Sequence, residues 1–100
     1  MGKLTHVAIF CLKPQTTEAQ TAALSEGLAA LPGLIPEIRR FGFGRDAGLA
    51  AGTSDFAVVA EFDDVAGYRA YASSPHHVKV FEQLLQPILE SRQVVQFTEA

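Results

Sequence analysis

Residues Leu4–Leu12 constrain this chain more than any other segment. The run Leu-Thr-His-Val-Ala-Ile-Phe-Cys-Leu is rich in β-branched and aromatic residues and stops near Pro14, so it reads as a strand. Alternation puts His6, Ala8, Phe10 and Leu12 on one face and Thr5, Val7, Ile9 and Cys11 on the other. Both faces are largely apolar. An antiparallel strand with one wet face would alternate, so both faces need cover. Helices of the same chain can cover one of them. The 100 residues fit one domain, residues 1–100. A chain of that length buries roughly 60–65% of its unfolded surface, a thin core that a second copy would strengthen.

The rest of the chain supplies the helices and the remaining strands. Thr16 or Thr17 caps a helix, with Gln20 in capping-box position after Thr17. Leu24, Leu28 and Leu31 recur at i, i+4 and i+7 as its buried stripe, and Pro32-Gly33 is expected to end it. Leu34–Ile38 is a tight connector holding Pro36. Arg39–Gly44 reads as a second strand with Phe41 and Phe43 on one face. Asp46–Ser54 reads as a glycine-broken loop and Asp55–Phe62 as a third strand. Asp63 or Asp64 caps a short helix carrying Val65, Tyr68, Tyr71 and Ala72. Ser74-Pro75 opens another, an N-cap followed by proline at the first helical position. That helix carries Val78, Phe81, Leu84, Leu85 and Ile88, with Pro87 kinking it or ending its regular part. Gln93–Thr98 is expected as the last strand, Val95 and Phe97 on one face, Val94 and Gln96 on the other.

Strand, helix, strand, strand, helix pair, strand is the split βαβ, ferredoxin-like order. It gives an α+β subunit with one antiparallel sheet and helices on one face. The apolar residues on the far side of the sheet then require a partner. Two sheets packed face to face in a homodimer would supply it.

Composition removes several function classes. The net charge is −3 and the eight Lys and Arg are scattered, which argues against a nucleic-acid footprint; Arg39-Arg40-Phe41 reads as a solvated strand edge. A single Cys excludes an internal disulfide and a cysteine-built zinc site. The longest apolar run, Val7–Leu12, is too short for a membrane span or a secretory signal, so the expected address is the cytoplasm. Gly42-Phe43-Gly44-Arg45-Asp46-Ala47 matches G-x-G-x-x-A but is followed by a short loop. A dinucleotide fingerprint must instead open a crossover helix of a dozen residues or more. No P-loop, H-E-x-x-H or G-x-S-x-G is present, and His76-His77 with one Cys makes no metal constellation. Glu61, Asp63 and Asp64 read as strand-end and capping carboxylates.

Chemistry is concentrated in Tyr71-Ala72-Ser73-Ser74-Pro75-His76-His77-Val78. With Ser74 as N-cap, His76 and His77 occupy the second and third helical positions. The positive end of the helix dipole disfavours imidazolium there, so the ring stays neutral and can act as a base. Adjacent side chains point about 100° apart around a helix. His77 shares its spacing with Phe81, Leu84 and Ile88 and is read as the inward histidine, His76 as the wet one. Tyr71 on the preceding helix is a donor. His6 is a polar residue on an otherwise apolar strand face and needs a partner. His6, Tyr71 and His77 converging on a pocket between sheet and helices would form a small-molecule site. The plainer alternative is a hydrogen-bonded structural histidine and a packed tyrosine.

Taken together, His6-Val7-Ala8-Ile9-Phe10-Cys11-Leu12-Lys13-Pro14, Leu31-Pro32-Gly33-Leu34-Ile35-Pro36, Glu61-Phe62-Asp63, Tyr71 and Pro75-His76-His77 resemble the stress-responsive A/B barrel domain, or Dabb, family. The resemblance covers nearly the whole chain. It implies a ferredoxin-like subunit whose sheet pairs with a second copy to close an α/β barrel. One plant branch of the family consists of polyketide cyclases that close a linear poly-β-ketoacyl chain by intramolecular aldol condensation. His77 matches that branch's base, Tyr71 its thioester-carbonyl donor and His6 a pocket histidine. Phe56 stands where the branch has another pocket histidine, and Gln96 where an aspartate supports the base. Some plant members hold a cation on backbone carbonyls matching Pro32, Ile35 and Ile38; an empty connector, hence no metal, is the expectation here.

Three readings follow. The first is a cofactor-free enzyme in which His77 removes a proton α to a carbonyl, Tyr71 donates to the enolate oxygen, and His6, Phe56 and Gln96 contact the substrate. The second is a non-catalytic, dimeric, stress-related ligand-binding or interaction protein, suggested by Phe56 and Gln96. The third is a cofactor-free monooxygenase like related ferredoxin-like dimers, disfavoured by the absence of Trp.

Overall fold

A computed structural model describes residues 3–99. The elements run β1 (Leu4–Leu12), α1 (Glu18–Leu34), β2 (Arg40–Arg45), β3 (Phe56–Phe62), α2 (Val65–Ser73), α3 (Pro75–Val80) and β4 (Leu89–Thr98). A π-helical turn, Phe81–Leu85, and a 3₁₀ turn, Gln86–Ile88, carry α3 into β4. The strands form one antiparallel sheet in the order β2-β3-β1-β4, a ferredoxin-like α+β fold. β1 is thus an inner strand.

Local chemistry sets the helix starts. Thr17 caps α1 reciprocally: the Gln20 amide donates to Thr17 Oγ1 at 3.1 Å, and the Thr17 amide donates to Gln20 Oε1 at 2.9 Å. Asp64 caps α2 by accepting from the Gly67 amide at 2.9 Å. Leu24, Leu28 and Leu31 of α1, followed by Ile35, pack on Phe10, Phe56, Val58, Ala60 and Phe62 of the sheet. Gly27 permits the approach of α1 to the π-helical turn, because a Cβ there would lie 2.5 Å from Leu84 Cδ1.

Several boundaries differ from expectation. α1 runs through Pro32-Gly33 to Leu34. Proline removes one ladder bond, but the near-complete burial of Leu31 and Ile35 holds the last turn in place. β2 spans Arg40–Arg45, one residue later than expected, and β3 begins at Phe56. β4 begins at Leu89, not Gln93, because its pairing with β1 continues past a register shift to Leu12↔Leu89. Val78 faces solvent. Pro87 does end the regular helix: the ladder shifts to i→i+5, with the Gln86 amide donating to the Phe81 carbonyl.

The helices cover one face of the sheet. On the other, Val59, Val7 and Val95 stand in one row across β3, β1 and β4. Ile9, Val59, Val95 and Phe97 are 39%, 39%, 53% and 42% exposed in the single subunit. From Glu90 to Thr98, β4 is exposed on both of its faces. No helix among the described residues is long and apolar enough to cross a membrane.

Candidate active site

The site forms where the helices diverge from β4. The β1–β4 register sets His6 opposite Gln96, Ala8 opposite Val94 and Phe10 opposite Arg92, all on the helix-covered side. Between these strands, α1, α2 and α3 lies a cavity of about 320 Å³, within the range of small-molecule sites. Its walls are mainly apolar, and its polar side chains are His6, Tyr68, Tyr71, His77 and Arg92.

Ser74 places the histidines, accepting from the His76 amide at 3.2 Å with Pro75 opening the helix. His76 points to solvent and His77 to the cavity. The His77 and Tyr71 rings lie 4.4 Å apart between centroids. Tyr71 is buried, and that burial, reinforced by Tyr68, pushes its hydroxyl up to about 12, so it stays protonated and able to donate. Burial holds His77 below the ordinary histidine value, and the Arg92 charge pushes the same way. The Ala72 backbone carbonyl opposes this but does not reach hydrogen-bonding geometry at Nδ1, which is buried without a partner.

His6 is 8% exposed, and its Nδ1 lies 2.8 Å from Gln96 Nε2. With the amide nitrogen donating, Nδ1 accepts and the ring proton sits on Nε2 of a neutral imidazole. The depressed proton affinity of His6 agrees: burial is the main cause, followed by His77 and Arg92. The His6 ring centroid lies 5.2 Å from that of Tyr68 and 5.9 Å from that of Tyr71.

The structure therefore brings His6, Tyr71 and His77 together. It does not bring Phe56 to the cavity: that ring is buried in a stack with Phe10 and Phe43, at 6.4 and 6.3 Å. Gln96 does not line the cavity but orients His6. Tyr68 and Arg92 are cavity residues that the sequence reading missed. Had the strand been extended back by the alternation that pairs Gln96 with His6, Arg92 would have fallen on the same face.

Among the described residues no group of three or more His, Cys, Asp or Glu could hold a metal ion. In the connector the Ile35 carbonyl accepts from the Ile38 amide at 3.2 Å, and Arg39, paired with Asp63 at 2.9 Å, donates to the Pro36 carbonyl at 2.6 Å.

A ferredoxin-like subunit with one open apolar sheet face and a histidine–tyrosine cavity under its helices is the class of protein that the fold and the site define. The family model of the stress-responsive A/B barrel domain, Dabb, matches residues 4–99, and the chain belongs to that family. A dimeric ferredoxin-like protein of unknown function from Thermobifida fusca is 39% identical over 98% of this chain and 92% of its own, with a TM-score of 0.90. A dimeric protein of unknown function from Bacteroides fragilis is 26% identical over 99% and 98%, TM-score 0.85. The hydroxynitrile lyase of Passiflora edulis shares the fold at 19% identity over 99% and 94%, TM-score 0.86. No curated protein matches the sequence significantly.

Proposed function

We propose that this chain acts in the cytoplasm as a homodimer, joined through the outer face of its sheet, and binds a small carbonyl-bearing molecule in the cavity. The apolar row Val59–Val7–Val95 and the dimeric description of the T. fusca and B. fragilis proteins support the dimer. The reaction we infer is cofactor-free proton abstraction of the polyketide-cyclase type. His77 takes a proton from the carbon α to a carbonyl, and the bonding pair moves to the carbonyl oxygen, where the Tyr71 hydroxyl donates. The enolate carbon attacks a second carbonyl of the same chain, and the imidazolium returns its proton to the resulting alkoxide. The observation that carries this reading is the 4.4 Å approach of a neutral histidine ring to a protonated tyrosine ring inside an apolar cavity.

A second reading, ligand binding without turnover, has its own support. The amide of Gln96 is engaged by His6, and His77 Nδ1 has no partner to stabilise an imidazolium. One experiment separates the two: α-deuterium exchange into a linear diketoacyl N-acetylcysteamine thioester, followed by NMR. Proton abstraction predicts exchange above buffer that His77→Ala lowers at least about 100-fold with the dimer intact. No exchange above buffer, or an unchanged rate in His77→Ala, sinks the enzymatic reading.

A further inference from the structure

The cavity wall is electrostatically one-sided. Among the described residues that line it, Arg92 carries the only permanent charge and there is no carboxylate. That bias stands out in a chain of net charge −3. Three of the other arginines are paired, Arg39 with Asp63, Arg40 with Glu61 and Arg45 with Glu18, while Arg69 lies outside the cavity. Arg92 has no such partner among the described residues. Its guanidinium carbon lies over the Phe81 ring, 4.9 Å from the centroid. A cation held over a ring face uses no N–H donor for that contact, so the donors stay available to another partner. The register with Phe10 aims the side chain to the helix-covered side, at the solvent-facing end of the cavity. The site is thus a fork of donors over Phe81, in one apolar chamber with the buried Tyr71 and with His77.

We propose that the cavity takes an apolar monocarboxylic acid, its carboxylate held on the Arg92 fork at the rim and its carbonyl-bearing chain reaching inward toward Tyr71 and His77. A planar two-oxygen anion matches the fork in a bidentate pair. The apolar walls bury the remainder of the ligand. The proposal rests on the ligand-cavity reading above, and it adds the charge class of the ligand to that reading.

The test compares 4-oxo-4-phenylbutanoate with its neutral amide, by calorimetry and by following the Arg92 side-chain resonance in NMR. Inorganic phosphate serves as a third arm. The acid should bind at least about tenfold tighter than the amide, a loss of one charge-assisted pair. Arg92→Met, which keeps length and apolar packing over Phe81, should erase that preference while leaving amide binding in place. Arg92 is exposed, so this variant should melt like the parent. Equal binding of acid and amide, persistence of the preference in Arg92→Met, no binding of either ligand, or phosphate competing as strongly as the acid would each overturn the proposal. The assay reads no proton transfer. An inert cavity that prefers the acid would sink the reaction and keep this proposal; a working base with no such preference would do the reverse.

Discussion

Changing Val95 to Lys probes the outer sheet face with little disturbance to the subunit itself. Val95 is 53% exposed in the single chain, so about half of its side chain remains to be buried by a partner. Full burial of a Val or Phe side chain stabilises by roughly 1.5–3 kcal/mol, which leaves about 1 kcal/mol for Val95 on dimerisation. A two-fold interface counts each residue twice, so the loss is about 2 kcal/mol before any charge enters. Bringing two ammonium groups against an apolar row adds desolvation, partly relieved by the reach of the lysine stem. A total of at least about 3 kcal/mol weakens the dimer more than about 100-fold.

Sedimentation velocity across a concentration series gives the dissociation constant, and circular dichroism checks the fold. Lysine also carries a strand-propensity cost of up to about 1 kcal/mol, so Val95→Thr, which keeps the β-branch, should fall between parent and Lys. A parent chain that stays monomeric and folded at micromolar concentration would refute the reasoning. So would a Val95→Lys dimer of unchanged affinity.

Two further outcomes concern the subunit. His6 and His77 are held below the ordinary 6.5, so the folded chain binds fewer protons than the unfolded one; stability should be full above that pH and fall as pH drops through the folded values. Tyr71 is raised from 10.0 to about 12, so its contribution should be intact below pH 10 and decline above it, by on the order of 2–3 kcal/mol. Urea melts across pH would show both limbs, and an alkaline limb that Tyr71→Phe leaves unchanged would contradict the burial argument. Pro32→Ala should restore an amide donor to the Leu28 carbonyl and raise stability by about 1 kcal/mol, partly offset by a freer unfolded chain. A lower melting temperature would show that proline holds the turn.

What was legible in the residues was local or periodic. The capping box at Thr17, the Ser74-Pro75 start and the two-sided pattern of β1 each act within a few positions, and each appears in the structure. The inward aim of His77 followed from its spacing to Phe81. The failures came where tertiary packing outweighed local preference. Pro32 lies inside α1 because Leu31 and Ile35 on either side of it are almost completely buried. β4 starts before the polar stretch Glu90-Ser91-Arg92 because β1 offers partners down to Leu12, and cutting the strand short hid Arg92. Phe56 sits on the same sheet face as Val58, which does line the cavity, yet stacking with Phe10 and Phe43 draws it into the core. Face assignment alone cannot separate those two residues.

β4 ties the interface to the cavity. Val95 looks outward to the open sheet face, while its neighbours Val94 and Gln96 look inward, one onto the cavity wall and the other to His6. The strand is exposed on both faces in a lone subunit and is held by its ladder with β1 and by the contacts of Gln96 with His6 and Arg92 with Phe81. An edge strand so placed is the part of a small fold most free to fray. A second copy seated on Val95 and Phe97 would fix the backbone that carries Arg92 and the Gln96 amide. The geometry at the rim of the cavity would then depend on association, even though the residues that form the cavity wall all belong to one chain.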